Sequence, residues 1–551
     1  MRSLEQALYD HELLTLRVIG EWWELDLTGV DKGGAVGALA VALAKVDMQQ
    51  EMIFLPPEEA AAINDLVAQG GRAPVAVFSR DHGDVRMMGP GRMEREEPWL
   101  DPVSATEALW YRGFIYRGFD ETADEVLEFF YMPNELLGGF AQIKPAETNQ
   151  PQSAMMRPID GTPERWQEAV TYAVDDLTAL MGIAQQMTLQ KGKRSDIERF
   201  LLDPDPERRS LLLTLANEMG LVRQSDGRLR PTRAAIAWLK RSRDAQLFAL
   251  ADAWSNSDWN DLCHTPGLQC EGENWHNDPI LARTALLDAL PRKPDWYYLA
   301  DLIITIKHVN PDFQRPDGNY DTWYIRDADS EGYLAGFDAW DHVEGRLIRF
   351  LIKSPLYWLG MVEVADASKR EQTAFRLTER ALRWLDGDSP AEDDVREVIV
   401  VQKDGIVLVP QNGDRYHRFQ VARIGDAMEV EKGQPFRYRL SPQSLTSARE
   451  QGIKSERLLQ FLAQASGRSL PKSIQRAVER WEKRGIEGRI ESVTVLRVND
   501  ESILETLRTN PRTRDYLGES LGDLAVVIKP GLWEEFCAAT AELGLFLETG
   551  L

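Results

Sequence analysis

An internal repeat constrains this chain more than any other feature. Gly220-Leu221-Val222 is followed by Leu229-Arg230-Pro231-Thr232-Arg233-Ala234-Ala235-Ile236-Ala237-Trp238-Leu239, and much later Gly360-Met361-Val362 is followed by Phe375-Arg376-Leu377-Thr378-Glu379-Arg380-Ala381-Leu382-Arg383-Trp384-Leu385. In each copy an apolar strand leaves a helix and a polar turn follows, Ser225-Asp226-Gly227 in the first. A second strand then returns, and a threonine caps a helix that turns Ala and Trp-Leu toward the core. Thr232/Thr378, Ala235/Ala381 and Trp238/Trp384 fall at matching positions, which argues against coincidence.

Helices, a two-stranded wing and a closing helix are the plan of a winged helix. The region from Gly113 to Phe130, a strand pair after a helix, reads as a third, looser copy. At 551 residues the chain has room for three or four domains. The expected fold class is α+β, mainly helical. We expect a mostly helical domain over 1–143 and a linker over 144–163, where Pro145, Asn149, Pro151 and Pro158 cluster. Winged-helix domains over 164–300 and 301–390 follow, the second with an acidic insertion, and a compact α+β domain fills 391–551. In the first domain, Ser3-x-x-Gln6 predicts a capped helix and Ala73–Phe78 a short strand.

Net charge is −24, which taken whole argues against a simple polyanion binder. Yet residues 395–490 carry 18 Lys+Arg against 11 Asp+Glu, and residues 191–244 carry 13 against 8. Such segregation lets basic faces meet nucleic acid on an otherwise acidic body; the plainer alternative is two Arg-rich, solvated segments. With no long apolar run, no signal-peptide core at the start and three cysteines in all, the expectation is a cytoplasmic protein without a disulfide framework and without membrane contact.

Three spaced segments carry a family resemblance: Val398-Ile399-Val400-Val401-Gln402-Lys403-Asp404-Gly405-Ile406-Val407-Leu408-Val409-Pro410, then Tyr438-Arg439-Leu440-Ser441-Pro442-Gln443-Ser444-Leu445, then Leu470-Pro471-Lys472 with Trp481. They resemble the domain that precedes the motor in XPB-type DNA helicases. The whole chain resembles bacterial helicase-associated proteins that carry this domain without the motor. The resemblance implies a DNA-repair or DNA-transaction setting and supplies no activity. A helicase motor needs a Gly-rich loop ending in Gly-Lys-Ser/Thr, and Gly192-Lys193-Arg194-Ser195 fails that pattern, so no ATPase activity is expected.

The candidate nucleic-acid contacts are cationic. Over Pro471–Arg484, Lys472, Arg476 and Arg480 recur every four residues with Lys483 and Arg484 adjoining, opposite an apolar stripe of Ile474, Ala477, Val478 and Trp481. That face suits phosphate contact; as a merely solvated face it would pair Glu479 with Lys483. In the first repeat, Arg208 and Arg209 open the helix before the wing, and Arg223, Arg228 and Arg230 decorate the wing.

Other constellations carry less. Cys263, His264, Cys270 and His276 do not have the spacing of a zinc knuckle, and buried thiols among Trp254, Trp259 and Trp275 are expected instead. Asp327, Asp329, Glu331 and Asp338 imitate a calcium loop but are read as an acidic surface loop. The sequence leaves zinc and calcium at these two places open, and no metal or cofactor is expected. Gly518-Glu519-Ser520-Leu521-Gly522 lacks the preceding strand and following helix of a nucleophile elbow, and His82 reads as a turn histidine, so no catalytic residue is assigned. The leading expectation is a non-enzymatic DNA-binding or adaptor protein, accessory to a helicase or nuclease, contacting the phosphate backbone without much base readout. The alternatives are a protein–protein scaffold that does not touch DNA, and a transcription regulator, disfavoured because Leu212, Leu213 and Leu215 leave few side chains for base edges.

Overall fold

The computed structural model describes residues 3–121, 126–140, 156–183, 197–225, 228–272, 275–330, 332–367, 372–392, 396–488 and 492–550. They form a mainly helical α+β structure with small antiparallel sheets of two to four strands. Among the described residues no helix is long and apolar enough to cross a membrane. The chain divides into two compact units, Met1–Gly452 with Gln460–Ser469, and Ile453–Leu459 with Leu470–Leu551. The division therefore falls well beyond residue 391. Residues just after that position are tied into the first unit by buried arginines: Arg418 donates to the Asp175 carbonyl at 2.9 Å and Arg415 to Gln246 Oε1 at 3.1 Å.

The N-terminal part begins as its sequence directs, with Ser3 and Gln6 closing a reciprocal capping box on the helix Leu4–Tyr9. The strand expected over Ala73–Phe78 is a correction: only Arg72–Pro74 is extended, and Val75–His82 is helical. Pro74 stands at the N-cap, so its missing N–H costs the helix nothing, and Phe78 turns inward at 2% exposure. His82 consequently ends a helix, with Nε2 2.9 Å from Asp65 Oδ2, and is not a turn residue. Two further helices were not legible, Met48–Phe54 and Pro90–Glu96, each too short to show a period.

The two copies of the repeat share a helix ending, a hairpin and a threonine cap. Each copy leaves a helix through a left-handed glycine, Gly220 at φ 63° and Gly360 at φ 71°. The next residue reaches back five positions to close the helix end, Leu221 N to Ala216 O at 2.8 Å and Met361 N to Leu356 O at 2.9 Å. Gly113 at φ 75° and Phe114 N to Leu109 O at 3.1 Å repeat this ending in the third region. A hairpin follows in all three: Val222–Ser225 with Arg228–Pro231, Val362–Ala367 with Gln372–Leu377, and Tyr116–Glu121 with Val126–Tyr131. Thr232 and Thr378 then each cap a helix, accepting from Ala235 N at 3.5 Å and Ala381 N at 3.1 Å, while each hydroxyl donates back to the glycine carbonyl, Gly220 O or Gly360 O. In the third region Pro133 replaces the threonine, and the helix is only Asn134–Leu137.

The two main copies differ at their edges. The first hairpin stands alone as a two-stranded sheet, whereas the second is the inner pair of a four-stranded sheet flanked by Trp166–Gln167 and Tyr297–Tyr298. The copies are also bolted together. Arg380 and Arg383, from the helix capped by Thr378, each place a guanidinium nitrogen 2.7 Å from Asp244, which follows the first copy. Part of the expected linker is packed as well: Met156 is buried and Ile159 N donates to Trp296 O at 2.8 Å. Residues 141–155 lie outside the described residues.

The second unit holds a three-stranded sheet in the order Thr494–Arg497, Ala525–Ile528, Leu517–Ser520. The helices Glu501–Thr509 and Trp533–Glu542 accompany it, and Leu504, Leu507, Val526, Ile528 and Phe536 close its core. The helix Lys472–Arg484 belongs to the same unit.

Candidate nucleic-acid interface

The helix Lys472–Arg484 starts after Pro471 and stops at Gly485, which takes φ 68° where a side chain would be strained. Its apolar positions Ile474, Val478 and Trp481 are buried, while Ala477, expected in that stripe, is exposed. At 100° per residue Lys472, Arg476, Arg480, Lys483 and Arg484 fall within about 120° of arc, opposite the buried side. All five are exposed. The structure thus brings these sequence-predicted cations onto one face.

One carboxylate intrudes on that face. Glu487, three residues past the helix end, accepts from Arg480 through both Nε and Nη2 and from Arg484 Nη1 at 3.1 Å. The two guanidiniums hold its carboxyl below the ordinary carboxylate range. Glu487 was not singled out from the sequence, because it lies beyond the helix, where helical spacing does not apply. The expected partner, Glu479, is four residues before Lys483; the acid that reaches the arginines arrives instead by way of the turn at Gly485.

The arginines of the first repeat separate into two groups. Arg208 is a correction: it is 1% exposed, donates to Asp176 Oδ2 at 2.5 Å and to Asp203 O at 3.0 Å, and cannot meet a phosphate. Burial raises the pKa of Asp176, and the adjacent guanidinium offsets part of that cost. Arg209 is largely covered too, with its guanidinium 3.7 Å from Glu198. Arg223 and Arg230 are exposed and directly opposed across the hairpin, so two guanidinium-bearing positions share one face. Arg228 is in the returning strand, and its side chain lies outside the described ones.

Buried ion pairs explain why local charge counts overstate surface charge. Arg243 and Arg418 both meet Asp175, at 2.7 and 3.4 Å, and Asp175 lies outside both counted segments. These arginines fall inside the two segments that read as basic. Similar pairs lie elsewhere, Arg283 with Asp261 and Arg315 with Glu344, all four side chains at most 2% exposed. Sequence reasoning missed them, because nothing in a linear pattern marks which Asp will meet which Arg.

The remaining constellations resolve structurally. Cys263 and Cys270 are joined in a disulfide with Cα atoms 5.5 Å apart, and Cys263 is exposed, which corrects the expectation of buried thiols. His264 stacks on Trp259 and pairs with Glu207, while His276 is exposed. Asp327 accepts from the amides of Asp329 and Ser330 and pairs with Arg346 at 2.7 Å, and these donors pull its carboxyl down to about 2. Glu331 lies outside the described residues, as do Gly192, Lys193, Arg194 and Ser195. Among the described residues no His/Cys/Asp/Glu group is arranged to hold a metal ion. Ser520 ends the strand Leu517–Ser520, which corrects the reading that no strand precedes it; a hairpin and not a helix follows, with Ser520 accepting from Arg508 Nη2 at 2.5 Å and donating to Gly522 O at 2.9 Å.

Residues 399–522 match the family described as the helicase conserved C-terminal domain. The matched span takes in the cationic helix and supports a helicase-related origin for this part of the chain. No curated protein matches the chain.

Proposed function

We propose that the protein is a non-enzymatic accessory of DNA transactions that grips the phosphate backbone through the helix Lys472–Arg484. One observation carries the reading: five exposed cations share a single helix face inside a segment of helicase-related origin. Phosphate neutralisation by such a face is largely blind to base sequence, which suits a partner of a helicase or nuclease in repair rather than a regulator. Arg223 and Arg230 are a second, smaller contact, on hairpins that we read as the wings of tandem winged helices. The XPB-like segments and the missing Gly-Lys-Ser/Thr loop support an accessory without a motor of its own.

Fluorescence anisotropy with single-stranded, duplex and forked DNA across a salt series tests the proposal. Micromolar or tighter binding with a steep salt slope, flattened by Lys472/Arg476/Arg480→Ala, is the expected result. No binding at low salt would remove it and leave the protein–protein scaffold, a reading favoured by the burial of Arg208 and the near-burial of Arg209.

A further inference from the structure

Two of the three cysteines are joined, and the DNA reading leaves their bridge without a task. Cys263 and Cys270 are seven positions apart, so the bridge closes a short loop and does not tie distant parts of the chain together. A bridge this local contributes less to stability than one that closes a long loop. Nor is it needed to bring the two residues together. On the Cys263 side, Asp261 is buried against Arg283, and the same guanidinium donates to Trp254 O at 2.6 Å and to Ser257 O at 2.7 Å. Asn260 and Asn277 exchange side-chain hydrogen bonds at 2.7 and 3.1 Å. On the Cys270 side, the strand Leu268–Cys270 pairs with Ile325–Asp327, and the Glu271 amide continues the contact to Tyr324 O at 2.8 Å. Each cysteine is therefore carried on a framework of its own, and opening the bridge leaves the two sulfurs beside one another.

Access differs between the two. Cys263 is exposed and Cys270 half-buried. Disulfides open and close by attack of a thiolate on a sulfur, and exposed bridges are the labile ones. The loop between the cysteines also has links of its own. His264 pairs with Glu207, in the first turn of the helix Pro206–Glu218 that leads to the first hairpin of the repeat. Gly267 O accepts from Arg346 Nη1 at 3.1 Å, on the helix Trp340–Leu351 that leads toward the second. The bridged loop thus lies between the two copies.

We infer that Cys263 and Cys270 are a site of reversible oxidation, a thiol pair that exchanges with a low-molecular-weight disulfide and whose bridged form stiffens the loop between the two repeats. In oxidation the Cys263 thiolate attacks one sulfur of the small disulfide, forming a mixed disulfide and releasing one thiolate. The Cys270 thiolate then attacks the Cys263 sulfur, closing the bridge and releasing the second. The protein gives up two electrons and two protons, and one small disulfide becomes two thiols; reduction runs the same steps backwards. The inference goes beyond the DNA reading and does not depend on it.

The native full chain, equilibrated with glutathione at a range of oxidised-to-reduced ratios and quenched with acid, tests it by alkylation and peptide mass spectrometry. The expected result is a reversible titration. The bridged peptide gives way to two alkylated cysteines as reduced glutathione rises and returns when the ratio is restored, with circular dichroism unchanged. Amide hydrogen exchange at Thr265, Gly267 and Leu268 is at least tenfold faster in the reduced form. Cys270→Ser traps glutathione on Cys263, and Cys263→Ser traps at least tenfold less on Cys270 in the same time. A bridge that does not form in the folded protein, that opens only in urea, or that leaves exchange in the loop unchanged on opening overturns the inference, and so does equal trapping at both cysteines. Should either serine variant fail to fold, the titration and the exchange measurement on the parent decide alone.

Discussion

Glu487→Gln should make the protein a better DNA binder. In the parent the cationic helix face carries five positive groups, and Glu487 lies on two of them, Arg480 and Arg484, so the net charge offered to phosphate is four. Counterion release gives a log–log salt slope of about −3.6 for duplex DNA with four net charges and about −4.5 with five. If the non-electrostatic part of binding is unchanged, the variant gains about eightfold in affinity at 0.1 M salt relative to 1 M, and its advantage grows about 3.5-fold between 200 and 50 mM. Glu487 is exposed and follows Gly485, outside the helix, so the substitution leaves the buried contacts of Ile474, Val478 and Trp481 untouched. Acidification does not substitute for the mutation near neutral pH, because the arginines hold this carboxyl below its ordinary range. Anisotropy titrations of parent and variant at five salt concentrations decide the matter. A folded variant with the parent's slope and affinity refutes the claim that this face meets phosphate.

Four further outcomes follow. Arg208→Ala leaves Asp176 charged and buried without its partner and should destabilise the first unit by about 3–5 kcal/mol in urea unfolding, with DNA affinity of the folded protein unchanged. Thr232→Ala and Thr378→Ala each remove a helix cap and should cost about 1 kcal/mol in the same assay. His11 has a folded pKa of about 4, below its unfolded value of 6.5, so the stability it contributes is complete above pH 6.5 and is lost as the pH falls toward 4. That loss amounts to about 3 kcal/mol, and His11→Phe should flatten the acid limb of the stability profile. Thiol titration of denatured, unreduced protein should find one reactive cysteine, Cys537, and three after reduction; three before reduction would show that Cys263 and Cys270 are not joined.

Much of the fold was legible where local chemistry decides it. The Ser3 box and the Thr232 and Thr378 caps are short-range devices, and each stands where the sequence put it. The same holds for the helix face at Lys472–Arg484, since one helical period suffices to gather its cations. Failures arose where distant residues decide. Ala73–Phe78 reads as a strand, yet from Val75 the chain is helical because Pro74 starts the helix and Phe78 finds a core. Arg208 looked like a phosphate ligand because Asp176, 32 residues away, was not visible as its partner. The pairing of Cys263 with Cys270 does not show in the sequence, because a count of three cysteines argues against a framework and says nothing about a single local bridge.

The two hairpins of the repeat face different hazards. The second is flanked on each side by a short strand that covers part of its length, whereas among the described residues no further strand flanks the first. Unflanked backbone rows are templates for intermolecular sheet growth, and charged side chains are a common way to discourage it. Arg223 and Arg230, opposed on that hairpin, therefore have a protective task whatever they bind, since two chains brought edge to edge would crowd four guanidiniums together. Replacing both with valine would remove the proposed DNA contact and, in the same step, turn a solitary hairpin into a seed for aggregation, so a loss of binding in that variant means something only if the protein is still monodisperse.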